Sequence, residues 1–190
     1  EEVGLKKNFL RLTTLSQYRN LSSYNNFNIG AWCNTEKNKK KDNLDNNISY
    51  HWDDRKKFNK DYEKLKVIHS KFLYELATLL NNYHGIDKPK RYWQILLDPW
   101  LADYLIVLYD RWEIINTASN LNKNFEVEFF QFSFDGNLSK YYSYPKNEGF
   151  LQQNDINQYL FQNIISKYFK KNFQISQVDK KYEIEIDDST

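Results

Sequence analysis

The sequence predicts an α/β fold of the Rossmann-like kind, with a mostly parallel sheet flanked by long helices. Three observations favour it: short runs rich in β-branched and aromatic residues, long segments with apolar residues at helical spacing, and alternation of the two along the chain. A chain of 190 residues can bury roughly 70% of its unfolded surface. We therefore predict a single α/β domain over residues 1–190.

Two short strands are predicted near the beginning of the chain. Residues 8–14 start with aromatic and apolar side chains and end in polar ones, which indicates a strand that leads into a loop. Residues 27–32 form the second, and Gly30 within them indicates a close backbone approach or a turn. Residues 35–47 are too polar to bury and are expected to form a solvated loop, with a basic phosphate clamp as the less favoured alternative.

The clearest helical pattern covers residues 53–82. Its apolar residues share one helical face: Leu65, Ile68, Phe72, Leu76, Leu79 and Leu80. Gly85 can end this helix because glycine takes positive φ without strain. We expect two further helices, one over 91–97 and one that runs from Asp98 to about Ser119, because Asp98 can cap a helix and proline suits the position after the cap.

The last third of the chain predicts two strands and a helix. Residues 125–134 carry apolar side chains in both phases, as expected of a bulged strand or one buried on both faces, and Asp135-Gly136-Asn137 predicts a turn after it. Residues 155–171 predict an amphipathic helix, and residues 182–187 alternate as a final strand. The predicted apolar face of that helix consists of Ile156, Tyr159, Leu160, Ile164 and Tyr168.

The composition excludes several classes of function. Lys plus Arg number 27 against 25 acidic residues, for a net charge of +2, so we expect no nucleic-acid partner. One cysteine and three histidines rule out a disulfide within the chain and every cysteine-based zinc site, and we expect no metal. The lone Cys33 is best interpreted as a small buried apolar residue, with a nucleophile as the less favoured alternative.

Other motifs are missing from the sequence. It contains no Gly-x-Gly-x-x-Gly, no Gly-x-Ser-x-Gly and no Asp-x-Asp, which argues against kinases, P-loop enzymes, serine hydrolases and metal-dependent sugar transferases. The sequence contains no window of 18 consecutive apolar residues, so it predicts no transmembrane segment. The single cysteine fits a reducing compartment, so we expect a cytoplasmic location, or a peripheral one at the inner face of the membrane.

The densest polar cluster precedes the long helix. Here His51 is a candidate general base, Asp53 or Asp54 could orient it, and Arg55 could bind a carboxylate or phosphate through two hydrogen bonds. The alternative is structural: Asp53 caps the helix, Asp54 favours its N-terminal dipole and Arg55 pairs locally. Residue types alone favour the structural interpretation.

A second cluster mixes aromatic rings with hydrogen-bonding groups. It contains His84, Arg91, Tyr92, Trp93, Asp98 and Trp100. Sugar rings bind to such mixtures, because their apolar faces pack on indole while their hydroxyls pair with polar side chains. Core packing of the two tryptophans is the alternative and the more common outcome.

Together these segments resemble the ordered motifs of a family of predicted bacterial transferases tied to O-antigen and other surface-polysaccharide synthesis. The resemblance covers residues 8–118 and rests on segments in the same order and at similar spacing. They are Asn28-Ile29-Gly30-Ala31-Trp32-Cys33, Tyr50-His51-Trp52-Asp53-Asp54-Arg55, Leu80-Asn81 with His84, Arg91-Tyr92-Trp93-Gln94-Ile95-Leu96-Leu97-Asp98-Pro99-Trp100-Leu101 and Leu108-Tyr109-Asp110-Arg111. Two positions depart from the pattern: Ala31 stands where a Glu is expected, and Asp98 where a Gly is expected.

The resemblance implies the N-terminal, acceptor-side lobe of a longer GT-B-like glycosyltransferase. Such an enzyme moves a sugar from a nucleotide-sugar donor to a glycan or glycolipid acceptor, with the donor bound by a C-terminal sugar-nucleotide lobe and no cofactor in this lobe. We expect the isolated lobe to be inactive, and Ala31 to impair the enzyme if the expected Glu is catalytic.

The site residues expected from the motifs fall into two groups. The catalytic group is His51, Asp53 and Asp54, and the substrate-binding group is Trp32, Arg55, His84, Arg91, Trp93, Asp110 and Arg111. Trp32 and the segment from His51 to Arg55 are expected to converge at the carboxyl ends of the strands. A non-catalytic carbohydrate-binding or assembly domain is the alternative function, and a purely structural domain a third.

Overall fold

The computed structural model describes residues 6–15, 24–33, 46–121, 123–134 and 154–184. The chain divides into two compact units. One consists of Glu1–Tyr50 together with Arg111–Thr190 and is called the sheet unit; the other, His51–Asp110, is called the hairpin unit. The sequence predicted one domain, and each unit is described by itself below.

Within the described residues, four parallel strands form one sheet in the order β2-β1-β3-β4. The strands are β1 (Lys7–Arg11), β2 (Tyr24–Asn28), β3 (Phe125–Phe134) and β4 (Phe173–Ile184). The chain moves from β1 to β2 on one side and returns to β3 on the other side of β1. This all-parallel arrangement confirms the predicted α/β, Rossmann-like fold.

The core of the sheet unit surrounds β3. Every side chain from Phe125 to Phe130 is buried, as expected of a central parallel strand that is covered on both faces. The pairing of β3 with β4 also shifts register between Phe130 and Gln131. The sequence predicted either a bulge or burial on both faces for this strand. The structure contains both.

Two strands have other bounds than the sequence predicts. β2 ends at Asn28, and residues Ala31–Cys33 form a 3₁₀ turn instead of continuing the strand to Trp32. β4 begins at Phe173, well before the predicted start at residue 182. Among the described residues β4 pairs with β3 alone. A strand in this position tolerates a polar pattern, because its backbone hydrogen bonds leave no apolar signature in the sequence.

The long helix of the hairpin unit, α1 (Arg55–His84), confirms the prediction. The carboxylate of Asp54 caps it by accepting hydrogen bonds from the backbone amides of Lys56 and Lys57, at 2.8 and 3.3 Å. Gly85 ends it with φ of 64°, the left-handed conformation that glycine adopts freely. The start of α1 is thus fixed by Asp54 and not by Asp53.

A single helix, α2 (Lys90–Ser119), replaces the two that were predicted. Pro99 lies inside it, so the prediction of a helix start at Asp98-Pro99 was wrong. The Asp98 side chain does not cap: it accepts a hydrogen bond from Gln94 Nε2 at 2.9 Å, and its other oxygen lies 3.2 Å from His69 Nε2. Side-chain contacts of this kind, together with packing, can hold a helix through a proline.

The helix α3 (Asn154–Ile164) continues as one π-helical turn over Ile165–Phe169. Its buried face differs from the predicted one, because Tyr168 is exposed and Tyr159, Leu160 and Ile164 are only partly buried. The fully buried positions are Ile156, Asn157, Gln158, Phe161, Gln162, Ile165 and Phe169. The helix carries apolar residues on two neighbouring faces, and the buried face also contains Asn157, Gln158 and Gln162, so periodicity selected the wrong one.

The predicted turn at residues 135–137, most of the polar loop at 35–47 and the end of the last strand lie outside the described residues. None of the helices that the structure describes has the length and apolar character needed for a membrane span.

Candidate functional site

In the sheet unit, polar and aromatic side chains gather where β1 and β2 end. The indole of Trp32 folds back over Gly30, and a Cβ atom at Gly30 would lie 2.3 Å from the ring. Trp32 Nε1 donates a hydrogen bond to the carbonyl of Leu12, the residue after β1, at 3.3 Å. The close approach predicted at Gly30 is therefore present, and it fixes an indole that is still 37% exposed.

Arg111 lies beside this indole. Its guanidinium carbon is 5.3 Å from the centre of the Trp32 ring and 5.8 Å from that of Phe161, within cation–π range. Arg111 Nε donates a 2.8 Å hydrogen bond to Asn157 Oδ1, which fixes the plane of the guanidinium. The structure thus brings together two of the predicted substrate-binding residues, Trp32 and Arg111.

Buried amides support this edge of the sheet. The hydroxyl of Thr13 donates to Gln158 Oε1 at 2.8 Å, and Gln158 Nε2 donates to the carbonyl of Glu128 at 3.1 Å. Gln162 accepts from the backbone amide of Phe130 at 2.9 Å and donates to its carbonyl at 3.0 Å. These residues were missed; the one available signal was the four-residue spacing of the two glutamines, which places them on one helical face.

Cys33 also belongs to this edge but has no nucleophilic character. Its side chain is fully buried, and Sγ lies 3.4 Å from the carbonyl oxygen of Arg11. Burial raises the pKa of the thiol to about 12. The interpretation as a small buried residue fits these observations, because the reactive thiolate is scarce at neutral pH.

In the hairpin unit, His51 and Asp110 form a buried pair. His51 Nε2 lies 3.0 Å from Asp110 Oδ1, and the exposed fractions of the two side chains are 1% and 7%. This carboxylate holds the imidazole in one orientation, as in catalytic pairs of a histidine and an acid. Sequence reasoning assigned the orienting role to Asp53 or Asp54 and placed Asp110 among the substrate-binding residues.

A carboxylate that the sequence analysis missed lies near the start of α1. Asp61 is buried and accepts hydrogen bonds from Lys57 Nζ at 2.7 Å, Tyr109 Oη at 2.8 Å and Trp52 Nε1 at 3.1 Å. Burial alone would raise the pKa of Asp61, but these donors, Lys57 foremost, lower it below its usual value. The available signal was an acidic residue one turn before Leu65 on the apolar face of α1.

The remaining residues of the first polar cluster face solvent. Asp53 is exposed, Asp54 caps α1, and Arg55 is exposed with its guanidinium carbon 5.9 Å from the ring centre of Phe58. Of the predicted catalytic group, only His51 is buried in a side-chain pair. The convergence of Trp32 with residues 51–55 stays a prediction.

Three residues of the second polar cluster, His84, Arg91 and Trp93, lie at the opposite end of α1, whereas Asp98 contacts His69 in the middle of that helix. His84 is exposed and stacks on Trp93, with ring centres 6.1 Å apart, while Arg91 donates to Gln94 Oε1 at 3.2 Å. Trp93 is buried, and its Nε1 donates to Asn81 at 2.8 Å. The ring of Trp93 is therefore packed in the core, which was the alternative interpretation of this residue.

The length of α1 separates the His51–Asp110 pair from His84, Arg91 and Trp93. α1 contains 30 residues, and at 1.5 Å per residue it spans about 45 Å. His51 precedes its first turn and His84 ends its last, so the His51–Asp110 pair cannot share one small-ligand site with Arg91 and Trp93. The substrate-binding roles of His84, Arg91 and Trp93 stay predictions.

The chain was compared with known protein families, curated proteins and solved structures. No curated protein and no solved structure matches the chain significantly. A family profile described as LIC12162 family transferase matches residues 8–190, nearly the whole chain. The chain therefore belongs to the LIC12162 family of transferases.

Proposed function

We propose that this chain is the acceptor-side part of a glycosyltransferase that moves a sugar from a nucleotide-sugar donor to a bacterial surface polysaccharide of the O-antigen type. Membership of a transferase family and the parallel, Rossmann-like sheet support this proposal. The motif resemblance supports a GT-B-like enzyme whose donor binds a sugar-nucleotide lobe outside this sequence.

The observation that carries the proposal is the exposed indole of Trp32 beside Arg111. An indole binds the apolar face of a sugar ring, and a guanidinium donates to hydroxyl or anionic groups. Gly30 and the bond to Leu12 hold the ring in place. A fixed aromatic surface loses little conformational entropy when a sugar binds to it.

The position of Trp32 in the fold supports the same conclusion. Its Nε1 is bonded just beyond the carboxyl end of β1, and the strand order reverses between β1 and β3. In open parallel sheets, ligands bind outside the carboxyl ends of the strands at this point of reversal. We assign the acceptor sugar to this edge of the sheet unit.

For His51 we keep the proposal of a general base, now oriented by Asp110. A base of this kind would take the proton of the acceptor hydroxyl as the hydroxyl oxygen attacks the anomeric carbon of the donor and the nucleoside diphosphate leaves. Because only 1% of the imidazole is exposed, this role requires that the pair open when substrate binds. A purely structural pair would stay closed.

The first experiment tests the sugar surface. The complete enzyme is incubated with nucleotide sugars and lipid-linked polysaccharide precursors, and sugar incorporation is measured for Trp32→Ala and for Tyr74→Ala, a control with an exposed ring on α1. We expect Trp32→Ala to lower kcat/KM for the acceptor roughly tenfold, about 1.4 kcal/mol, and Tyr74→Ala to leave it unchanged. Equal activity of all three proteins would contradict the assignment.

The second experiment tests His51. His51→Ala in the complete enzyme should reduce transfer by orders of magnitude while the thermal unfolding curve keeps its shape, and Asp110→Asn should shift the pH profile of kcat. If the folded His51→Ala variant transfers sugar as fast as the wild type, the base role is wrong. If the chain binds the glycan but the complete protein shows no donor-dependent transfer, the alternative of a carbohydrate-binding domain replaces the proposal.

A further inference from the structure

The end of the hairpin unit, residues 79–96, exposes an unusual amount of apolar surface. Tyr83 is 81% exposed and Ile95 63% exposed, and four more large apolar residues are also open to solvent: Leu79, Ile86, Tyr92 and Leu96. Scattered exposed apolar residues are ordinary, but six within one 18-residue segment form a patch that indicates an interaction surface.

Ring contacts join the two helices across this patch. The ring centres of Tyr83 and His84 are 5.0 Å apart, those of His84 and Trp93 6.1 Å, and those of Trp93 and Tyr92 5.1 Å. Leu79 lies four residues before Tyr83, and residues 95 and 96 follow Tyr92 by three and four, which places each on the same helical face as its tyrosine. The exposed apolar residues thus form one group at the end of α1, Leu79 with Tyr83, and one at the start of α2, Tyr92 with Ile95 and Leu96, on either side of the buried Trp93 ring.

The core of the hairpin unit does not need these residues. Leu73 of α1 packs with Leu101 and Leu105 of α2, supported by Ile68, Leu76, Leu97 and Trp100. Trp93 is buried at the same end, with its Nε1 bonded to Asn81. These buried residues complete the apolar contact between α1 and α2. The exposed apolar residues of the segment 79–96 therefore contribute little to folding.

Three basic residues lie in the same segment as the exposed apolar residues. Residues 79–96 contain Lys88, Lys90 and Arg91 against one acidic residue, Asp87, and all four are exposed. Lys88 Nζ lies 5.7 Å from the ring centre of Tyr92, so the ammonium group is within cation–π distance of an exposed aromatic side chain. Long basic side chains of this kind cover apolar surface while their charged ends reach a polar layer.

We propose that the end of the hairpin unit binds an anionic phospholipid surface. Tyrosine rings and aliphatic side chains enter the boundary between headgroups and acyl chains, while Lys88, Lys90 and Arg91 pair with lipid phosphates. A second copy of this chain is a poorer occupant, because a two-fold contact through this patch would bring the same cations together. The proposal does not rest on the sugar-transfer reaction.

Vesicle sedimentation tests the proposal with the intact chain. Binding is measured to vesicles of phosphatidylcholine alone and of phosphatidylcholine mixed with phosphatidylglycerol, at low and high salt. The apolar variant is Tyr83→Ser with Ile95→Ser, and the charge variant carries Gln at Lys88, Lys90 and Arg91. The matched control is Tyr62→Ser with Val67→Ser, which removes a similarly exposed ring and aliphatic side chain, 56% and 71% exposed, from another part of α1.

We expect the wild-type chain and the control to bind the anionic vesicles, more weakly at high salt, and each hairpin-end variant to bind about tenfold more weakly or worse. Far-UV circular dichroism shows whether the variants keep their helices; single substitutions at Tyr83 and Ile95 replace any variant that does not. Absence of binding, equal binding to neutral vesicles, or equal loss in the control would overturn the proposal. So would a dimer in solution that the apolar variant dissociates.

Discussion

At the scale of single residues, buried polar groups determine how the chain is held together. Asp61 is the clearest case, because a carboxylate inside a helical pair is stable only when donors surround it. Lys57, Tyr109 and Trp52 supply those donors. The lowered pKa of Asp61 means that its ionised form stabilises the folded state.

Asp61→Asn should therefore destabilise the protein in a pH-dependent way. We expect a loss of about 1–3 kcal/mol near neutral pH, because the amide cannot replace a charged acceptor for Lys57. The carboxylate contributes fully above the unfolded pKa of 3.8, and its contribution declines as the pH falls through the lower folded value. Denaturant unfolding at neutral pH and near pH 3 should show the variant and the wild type converging in acid; a constant difference would contradict this.

The sequence analysis named some of the residues that the structure brings into contact and missed others, for a physical reason. Trp32 and Arg111 were both predicted, because an aromatic ring after a strand and an arginine in a motif are visible locally. Asp61 and Gln158 were missed, because their partners come from distant parts of the chain: Tyr109 is 48 residues from Asp61, and Thr13 is 145 residues from Gln158. Pairings at such separations leave no local pattern.

At the scale of elements, periodicity predicted α1 and β3 well and α2 less well. The apolar spacing of α1 and its cap at Gly85 are strong local signals. Asp98-Pro99 is also a strong local signal for a helix start, yet the helix runs through it. Tertiary packing outweighs local preference here: Leu97 and Trp100 pack against the cluster of Leu73, Leu101 and Leu105.

Pro99→Ala should stabilise α2. Pro99 is exposed, so its replacement removes little packing, and alanine restores the amide that can donate to the carbonyl of Ile95. Proline inside a helix costs about 3 kcal/mol, partly offset by the rigidity that it gives the unfolded chain, so we expect a gain of about 1–2 kcal/mol. The midpoint of urea unfolding should rise. A lower midpoint would show that α2 depends on a bend at this position.

At the scale of the whole molecule, the sequence predicted the fold class but not the division into units. Alternating strands and helices are sufficient to predict a parallel sheet. The same pattern does not show where along the two long helices one compact unit ends and the other begins. Here the residues from His51 to Asp110 form a compact unit with their own apolar cluster. Within that unit His51 and His84, which belong to the two polar clusters, lie at opposite ends of a helix about 45 Å long.

Because the chain divides into a sheet unit and a hairpin unit, the proposed location of the acceptor sugar can be tested in one measurement. Hydrogen exchange of the chain is compared with and without oligosaccharides released from O-antigen polysaccharide. If the acceptor binds beside Trp32 and Arg111, amides around β1, β2 and the turn at Ala31–Cys33 should exchange more slowly in its presence, because ligand binding stabilises the unit that holds it. Amides near Trp93 should be unaffected, and Trp32→Ala should abolish the protection. Protection around Trp93 instead would move the glycan site to the hairpin unit and refute the assignment to the sheet edge.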